Sequence, residues 1–119
     1  MKLVLAGLLL AAGSLSAHHS YGAFDRDHPA IIEGTIGRLI FANPHVTLTI
    51  KTADSTLYTA EWNAVFQLGR MGVQAGTLKE GDHVIITGSP KKDPTEHFLS
   101  ILTAIRRPSD GWAWTARPK

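Results

Sequence analysis

Hydrophobic and polar residues alternate over several short stretches of the chain, and each stretch predicts a β-strand. Val46, Leu48 and Ile50 alternate with polar residues in the clearest example. A period of two is typical of a strand with one buried face. Similar runs predict four more strands, at residues 32–41, 57–62, 84–87 and 98–105. The last run is mostly apolar, which indicates burial on both of its faces.

One stretch has a different period and predicts a short helix between the third and fourth strands. Val65, Leu68 and Met71 fall on a single stripe at helical spacing. Asn63 is the expected N-cap, because its side chain can accept a hydrogen bond from a free backbone N–H of the first turn. We therefore expect the helix over residues 64–71.

The order of these elements predicts a fold. Three strands, a short helix and two further strands is the order of a small five-stranded OB-like Greek-key barrel, in which the helix plugs one end. Gly34 and Gly37 within the first strand indicate the bulge or sharp bend that a barrel strand requires. A generic five-stranded sandwich is the alternative. The candidate core residues are Ile36, Val46, Leu48, Ile50, Val84, Ile86, Leu99 and Ile101.

The first 17 residues have the character of a secretory signal peptide. Lys2 supplies a positive start, residues 3–10 are apolar, and residues 11–17 are mostly small. The apolar run is much shorter than the roughly 20 residues of a membrane-spanning helix. We expect cleavage after Ala17, or alternatively after Ser16, and a periplasmic or secreted mature protein without a membrane span. Residues 18–30 then form an extended arm and residues 31–119 the barrel domain.

Composition narrows the classes of function. The chain has no cysteine, which excludes thiolate metal sites and thiol catalysis. Removing Lys2 from the 12 basic residues leaves 11 basic against 10 acidic residues in the mature chain. This near balance argues against a nucleic-acid-binding protein. The sequence shows no recognisable Ser-His-Asp motif and no glycine-rich phosphate loop, so we expect no enzyme activity.

The candidate chemistry lies at the new amino terminus. Cleavage after Ala17 gives His18 a free α-amine, which can chelate a metal together with the ring Nδ1, while His19 is adjacent. His45, which follows a predicted turn, can supply a third imidazole in the manner of the histidine brace of some copper proteins. Nitrogen sites of this tetragonal kind suit copper(II).

Other interpretations of these residues stay open. Cleavage after Ser16 places His19 third, where the amine, two amides and the imidazole form a square-planar copper site. Alternatively, the amino terminus is a flexible polar segment that binds metal adventitiously, and His45 is a turn residue bonded to neighbouring backbone. Trp112 and Trp114 share one face of a terminal strand-like segment, which either closes the barrel or presents an apolar edge to a ligand or partner.

Several motifs are distributed along nearly the whole mature chain. They are His18-His19-Ser20-Tyr21, Phe24-Asp25, Glu33-Gly34-Thr35, Asn43-Pro44-His45 and Leu78-Lys79-Glu80-Gly81-Asp82. The chain thereby resembles a family of small exported bacterial proteins that is catalogued only as a domain of unknown function. Glu80 stands where that family more often has proline. The resemblance implies export and the barrel fold, and it implies no particular activity.

Together these features predict an exported, non-enzymatic binding or accessory module for a protein or small ligand that the sequence does not identify. Copper(II) bound through the processed amino terminus is the specific hypothesis. The alternative is a structural or envelope-stress protein that uses the barrel face for protein contact and binds no metal.

The processing hypothesis predicts the mass of the mature protein. Protein recovered from its native compartment should begin at His18 or Ala17, because the small-residue junction ends there. Intact-mass spectrometry measures this directly. Recovery of a chain that still begins at Met1 would contradict export with cleavage.

Overall fold

The computed structural model describes residues 22–117, and these form six strands and one short helix. The elements are β1 (Ala30–Ile40), β2 (Thr47–Lys51), β3 (Leu57–Glu61), α1 (Val65–Arg70), β4 (His83–Pro90), β5 (Phe98–Arg107) and β6 (Trp112–Thr115). The five predicted strands and the helix are confirmed in the predicted order. The terminal tryptophan segment forms β6. None of the described residues belongs to a helix that is long and apolar enough to cross a membrane.

Strands β1 to β5 form a closed barrel. β1 pairs antiparallel with β2 and with β4, while β2 pairs with β3 and β4 pairs with β5. A short parallel pairing between β3 and β5, at Thr59 with Phe98 and Ala60 with Leu99, closes the ring. With α1 between β3 and β4, this is the OB-like arrangement, and the predicted fold class is confirmed.

The barrel closes because β1 bends and pairs with a different neighbour along each half. Its first half pairs with β4 and its second half with β2, with a shift of register between Ile36 and Arg38. The bend brings β2 very close to Gly34. A Cβ at Gly34 would lie 2.3 Å from the carbonyl oxygen of Lys51, a distance that no side chain permits. Glycine is therefore required for the approach of the two backbones at this position.

The predicted core residues are buried, with one exception. Those confirmed are Ile36, Val46, Leu48, Ile50, Val84, Ile86 and Leu99. The prediction for Ile101 is wrong, because β5 bulges and places three residues opposite Gly88 alone. Ile101 is half-buried, and Leu102 takes the core position. The predicted burial of both faces of β5 is confirmed at the neighbouring residues Leu99 and Ser100, whereas Thr103 is exposed.

The end of the arm is held against the barrel. The N–H of Asp25 donates to the carbonyl oxygen of Pro90 at 2.8 Å, at the end of β4. Phe24 is buried, and its ring centroid lies 5.9 Å from that of Phe98. Phe24 and Asp25 therefore have a fixed position before the chain enters β1.

Arg107 connects the end of β5 to two neighbouring loops. Its Nε and Nη2 donate to the carboxylate of Asp110 at 3.0 and 2.9 Å. Its Nη1 donates at 2.8 Å both to Asp82 Oδ2 and to the carbonyl oxygen of Thr77. The hydrogen bonds from Arg107 hold the pKa of Asp110 below its usual value. This network stabilises the turn that leads into β6.

The close approach at Gly34 predicts different effects for alanine at the two glycines of β1. Gly34→Ala should lower the free energy of unfolding by about 2 kcal/mol or more, because the new methyl group meets a backbone carbonyl that cannot move independently of β2. Gly37→Ala is the matched control. Its Cβ would lie 3.8 Å from the nearest heavy atom, so its effect should stay within about 0.5 kcal/mol. Urea unfolding measures both, and equal losses would contradict the role given to Gly34.

Candidate functional site

An open cleft of about 730 Å³ lies between α1, the end of β3, the bulge of β5 and the end of β6. We call it the α1 cleft. Its volume falls within the range of small-molecule binding sites. Its lining residues are Arg26, His45, Glu61, Trp62, Asn63, Gln67, Arg70, Met71, Ser100, Ile101, Leu102, Trp114, Ala116 and Arg117.

The turn before β2 positions α1 above the cleft. Asn43 Oδ1 accepts a hydrogen bond from the N–H of Val65 at 3.0 Å, and Gln67 Oε1 accepts one from the N–H of Ala64 at 3.1 Å. Ala64 is the N-cap residue, so the prediction of Asn63 as the cap is wrong. The side chains of Asn43 and Gln67 therefore accept the hydrogen bonds from the free N–H groups at the start of the helix, and Asn63 does not.

His45 follows this turn and lines the cleft. Its Nδ1 lies 3.1 Å from the carbonyl oxygen of Trp62, which orients the ring. Its Nε2 lies 3.7 Å from Glu61 Oε1, and 48% of the side chain is exposed. Metal-binding histidines commonly use one ring nitrogen for a backbone carbonyl and the other for the metal. The geometry of His45 therefore leaves Nε2 available as a ligand.

Two tryptophans form the inner wall of the cleft. Trp62 and Trp114 are 3% and 5% exposed, and their rings meet edge to face with centroids 5.1 Å apart. Both tryptophans belong to the hydrophobic core. Neither indole N–H has a hydrogen-bond partner among the described residues. Trp112 does not line the cleft, and the Arg107 guanidinium lies 5.6 Å from its ring centroid.

Three arginines from distant segments also line the cleft. Arg26 belongs to the arm, Arg70 ends α1, and Arg117 follows β6. Arg117 Nη2 donates to the carbonyl oxygen of Arg70 at 3.2 Å. Within residues 22–117, Glu61 contributes the single carboxylate of the lining. The cleft therefore has an excess of positive charge.

The structure brings together only some of the residues singled out in the sequence. His18 and His19 lie outside the described residues. His45 and Trp114 share the α1 cleft, whereas Trp112 does not. Between residues 22 and 117, no group of three or more His, Asp or Glu side chains is close enough to hold a metal ion. A metal at His45 would need ligands from elsewhere in the chain.

Sequence patterns do not single out the three arginines. Arg26, Arg70 and Arg117 are separated by long stretches of sequence, and the chain topology alone brings them to one cleft. Arg70 lies in the last turn of a helix, where a basic residue commonly serves only to balance the helix dipole. No local pattern distinguishes these residues from ordinary surface arginines.

The fold defines the protein as a small OB-like barrel with a cleft at one end. The chain belongs to DUF6152, a family of unknown function, whose model matches residues 6–100. The family indicated by the motifs is thereby confirmed. The match includes His45, and it ends before β6 and Arg117. Searches of curated proteins and of solved structures found no match.

The helix cap predicts unequal effects for two nearby asparagines. Asn43→Ala should lower the free energy of unfolding by about 1 kcal/mol, because it removes the acceptor for the Val65 N–H. Asn63→Ala, the matched control, should change it by less than about 0.5 kcal/mol. Urea unfolding of both variants measures the difference. A larger loss in Asn63→Ala would show that the cap is assigned to the wrong side chain.

Proposed function

We propose that the protein is an exported, non-enzymatic binding module whose binding site is the α1 cleft, and that its processed amino terminus binds copper(II) there with His45. The observation that carries this proposal is that the arm and His45 meet at one cleft. Arg26 of the arm and His45 both line it. The described end of the arm therefore lies at the same cleft as the proposed third ligand.

The length of the arm supports this arrangement. His18 precedes Arg26 by eight residues, and an extended chain covers at most about 3.3–3.6 Å per residue. The amine of His18 can thus lie at any distance up to roughly 29 Å from Arg26. Asp25, which is held at the end of β4, is seven residues from His18 along the chain, so the reach from this fixed point to His18 is at most about 25 Å.

The nitrogen donors suit copper(II). The amine and ring Nδ1 of His18 would form a chelate, and Nε2 of His45 would be the third nitrogen. The hydrogen bond from the His45 ring to the Trp62 carbonyl holds this imidazole in one orientation. Glu61, 3.7 Å from Nε2, would place a negative charge beside the metal. Copper(II) leads the divalent stability order at such nitrogen sites.

Removal of the signal peptide is part of the proposal, because it creates the amine ligand. In the precursor the His18 nitrogen is an amide bonded to Ala17, which is a poor ligand. Processing would therefore restrict copper binding to exported protein. Affinity should also fall as the pH is lowered, because the metal binds the deprotonated amine and imidazoles and must compete with protons for them.

Calorimetric titration with copper(II) tests the proposal on protein that begins at His18. The wild type should bind one copper ion, and His18→Ala/His19→Ala should abolish binding. His45→Ala should weaken binding about tenfold or more, because one of three nitrogen ligands is lost. His83→Ala and His97→Ala are matched controls, since neither residue lines the cleft. They should leave the affinity unchanged.

Two outcomes would count against the proposal. Equal affinity of the wild type and the His18→Ala/His19→Ala variant would remove the amino terminus from the site altogether. Equal affinity of the wild type and His45→Ala would leave a local amino-terminal site that does not involve the cleft.

A further inference from the structure

We infer that the α1 cleft binds a small ligand with an anionic oxygen group, a carboxylate or a phosphate, attached to an apolar body. The inference rests on the proposed binding role of the cleft, but it does not depend on copper. It uses a different wall of the cleft, formed by Arg70, Arg117 and apolar side chains of the β5 bulge.

Arg70 and Arg117 provide the charge for this site. They come from α1 and from the segment after β6, and a hydrogen bond of 3.2 Å from Arg117 to the Arg70 carbonyl links the two segments. Among the ion pairs of the described residues, neither arginine has a carboxylate partner. Guanidinium groups present several N–H donors in a plane, which matches the oxygens of carboxylate and phosphate.

The charge balance inside the cleft favours an anion. Among the described lining residues, Arg70 and Arg117 stand against the one carboxylate of Glu61, and that carboxylate lies 3.7 Å from His45 Nε2. This balance of charged side chains in the lining favours an anionic ligand.

The β5 bulge provides the apolar part of the site. Ile101, in the bulge, has a φ of 51°, a conformation that β-branched residues rarely adopt. Ile101 lines the cleft together with Leu102 and with Met71, which follows α1. Strained residues of this kind concentrate at binding sites, where the surrounding structure holds them. The site therefore combines guanidinium groups with a partly exposed apolar surface.

Octanoate and octyl phosphate are suitable probes, because both join an anionic oxygen group to a chain of moderate length. Calorimetry on protein that begins at residue 18, kept metal-free with EDTA, measures their affinity. Octanol and octyltrimethylammonium are the matched neutral and cationic controls. The anions should bind about tenfold tighter or more than either control. The tighter of the two anions identifies a carboxylate or a phosphate as the natural group.

Variants assign the binding to the cleft. Arg70→Gln/Arg117→Gln should weaken the tighter anion about tenfold or more, because two charged donors are lost. Arg38→Gln/Arg106→Gln removes the same charge from exposed positions on β1 and β5, outside the cleft, and should leave the affinity unchanged. Circular dichroism melting of both variants establishes that they are folded.

The inference is overturned by equal anion affinity in the wild type and the folded Arg70→Gln/Arg117→Gln variant. It is also overturned if octyltrimethylammonium binds as tightly as the anions, or if the wild type binds neither anion at millimolar concentration. The His18→Ala/His19→Ala variant separates this result from the copper proposal, since it should keep its anion affinity. If this variant loses copper binding but keeps its anion affinity, the anion site at Arg70 and Arg117 is independent of the copper site.

Discussion

The close approach of β1 and β2 at Gly34 is the constraint on which the architecture depends. The Lys51 carbonyl occupies the space that any Cβ at Gly34 would need. The backbones of β1 and β2 can therefore approach this closely only because residue 34 is glycine. The bend that follows lets one strand pair with both β2 and β4. The ring can then close through the short parallel contact of β3 with β5. The α1 cleft exists because that closure brings the end of β3, the β5 bulge and the inserted helix to one end of the barrel.

The site itself depends on contacts between segments that are distant in sequence. Asn43 caps a helix that begins more than twenty residues later, and the next residues of the same turn place His45 against the Trp62 carbonyl. The arm is tied to the end of β4 through Asp25 and contributes Arg26 to the cleft. One short turn therefore positions both the helix above the cleft and the imidazole at its side, which couples helix stability to the geometry of the proposed ligand.

The sequence was informative where local patterns decide the structure. The alternation from Val46 to Ile50 and the helical stripe that contains Leu68 both reflect which face of the element is buried. The strands, the helix and their order along the chain could therefore be predicted. Ile101 could not, because a bulge reverses the facing of residues without changing their alternation. The helix cap was missed because the acceptor comes from Asn43, far away in sequence. The arginines of the cleft were missed for the same reason, since only the folded topology brings Arg26, Arg70 and Arg117 together.

We propose that the processed amino terminus and His45 meet in the α1 cleft around one copper ion. A crystal structure of protein beginning at His18, grown with one equivalent of copper(II), tests this most directly. The account predicts electron density for copper bonded to the His18 amine and to Nε2 of His45, beside Glu61. Copper held by His18 and His19 alone, away from the cleft, or bound at His83 or His97, would contradict it.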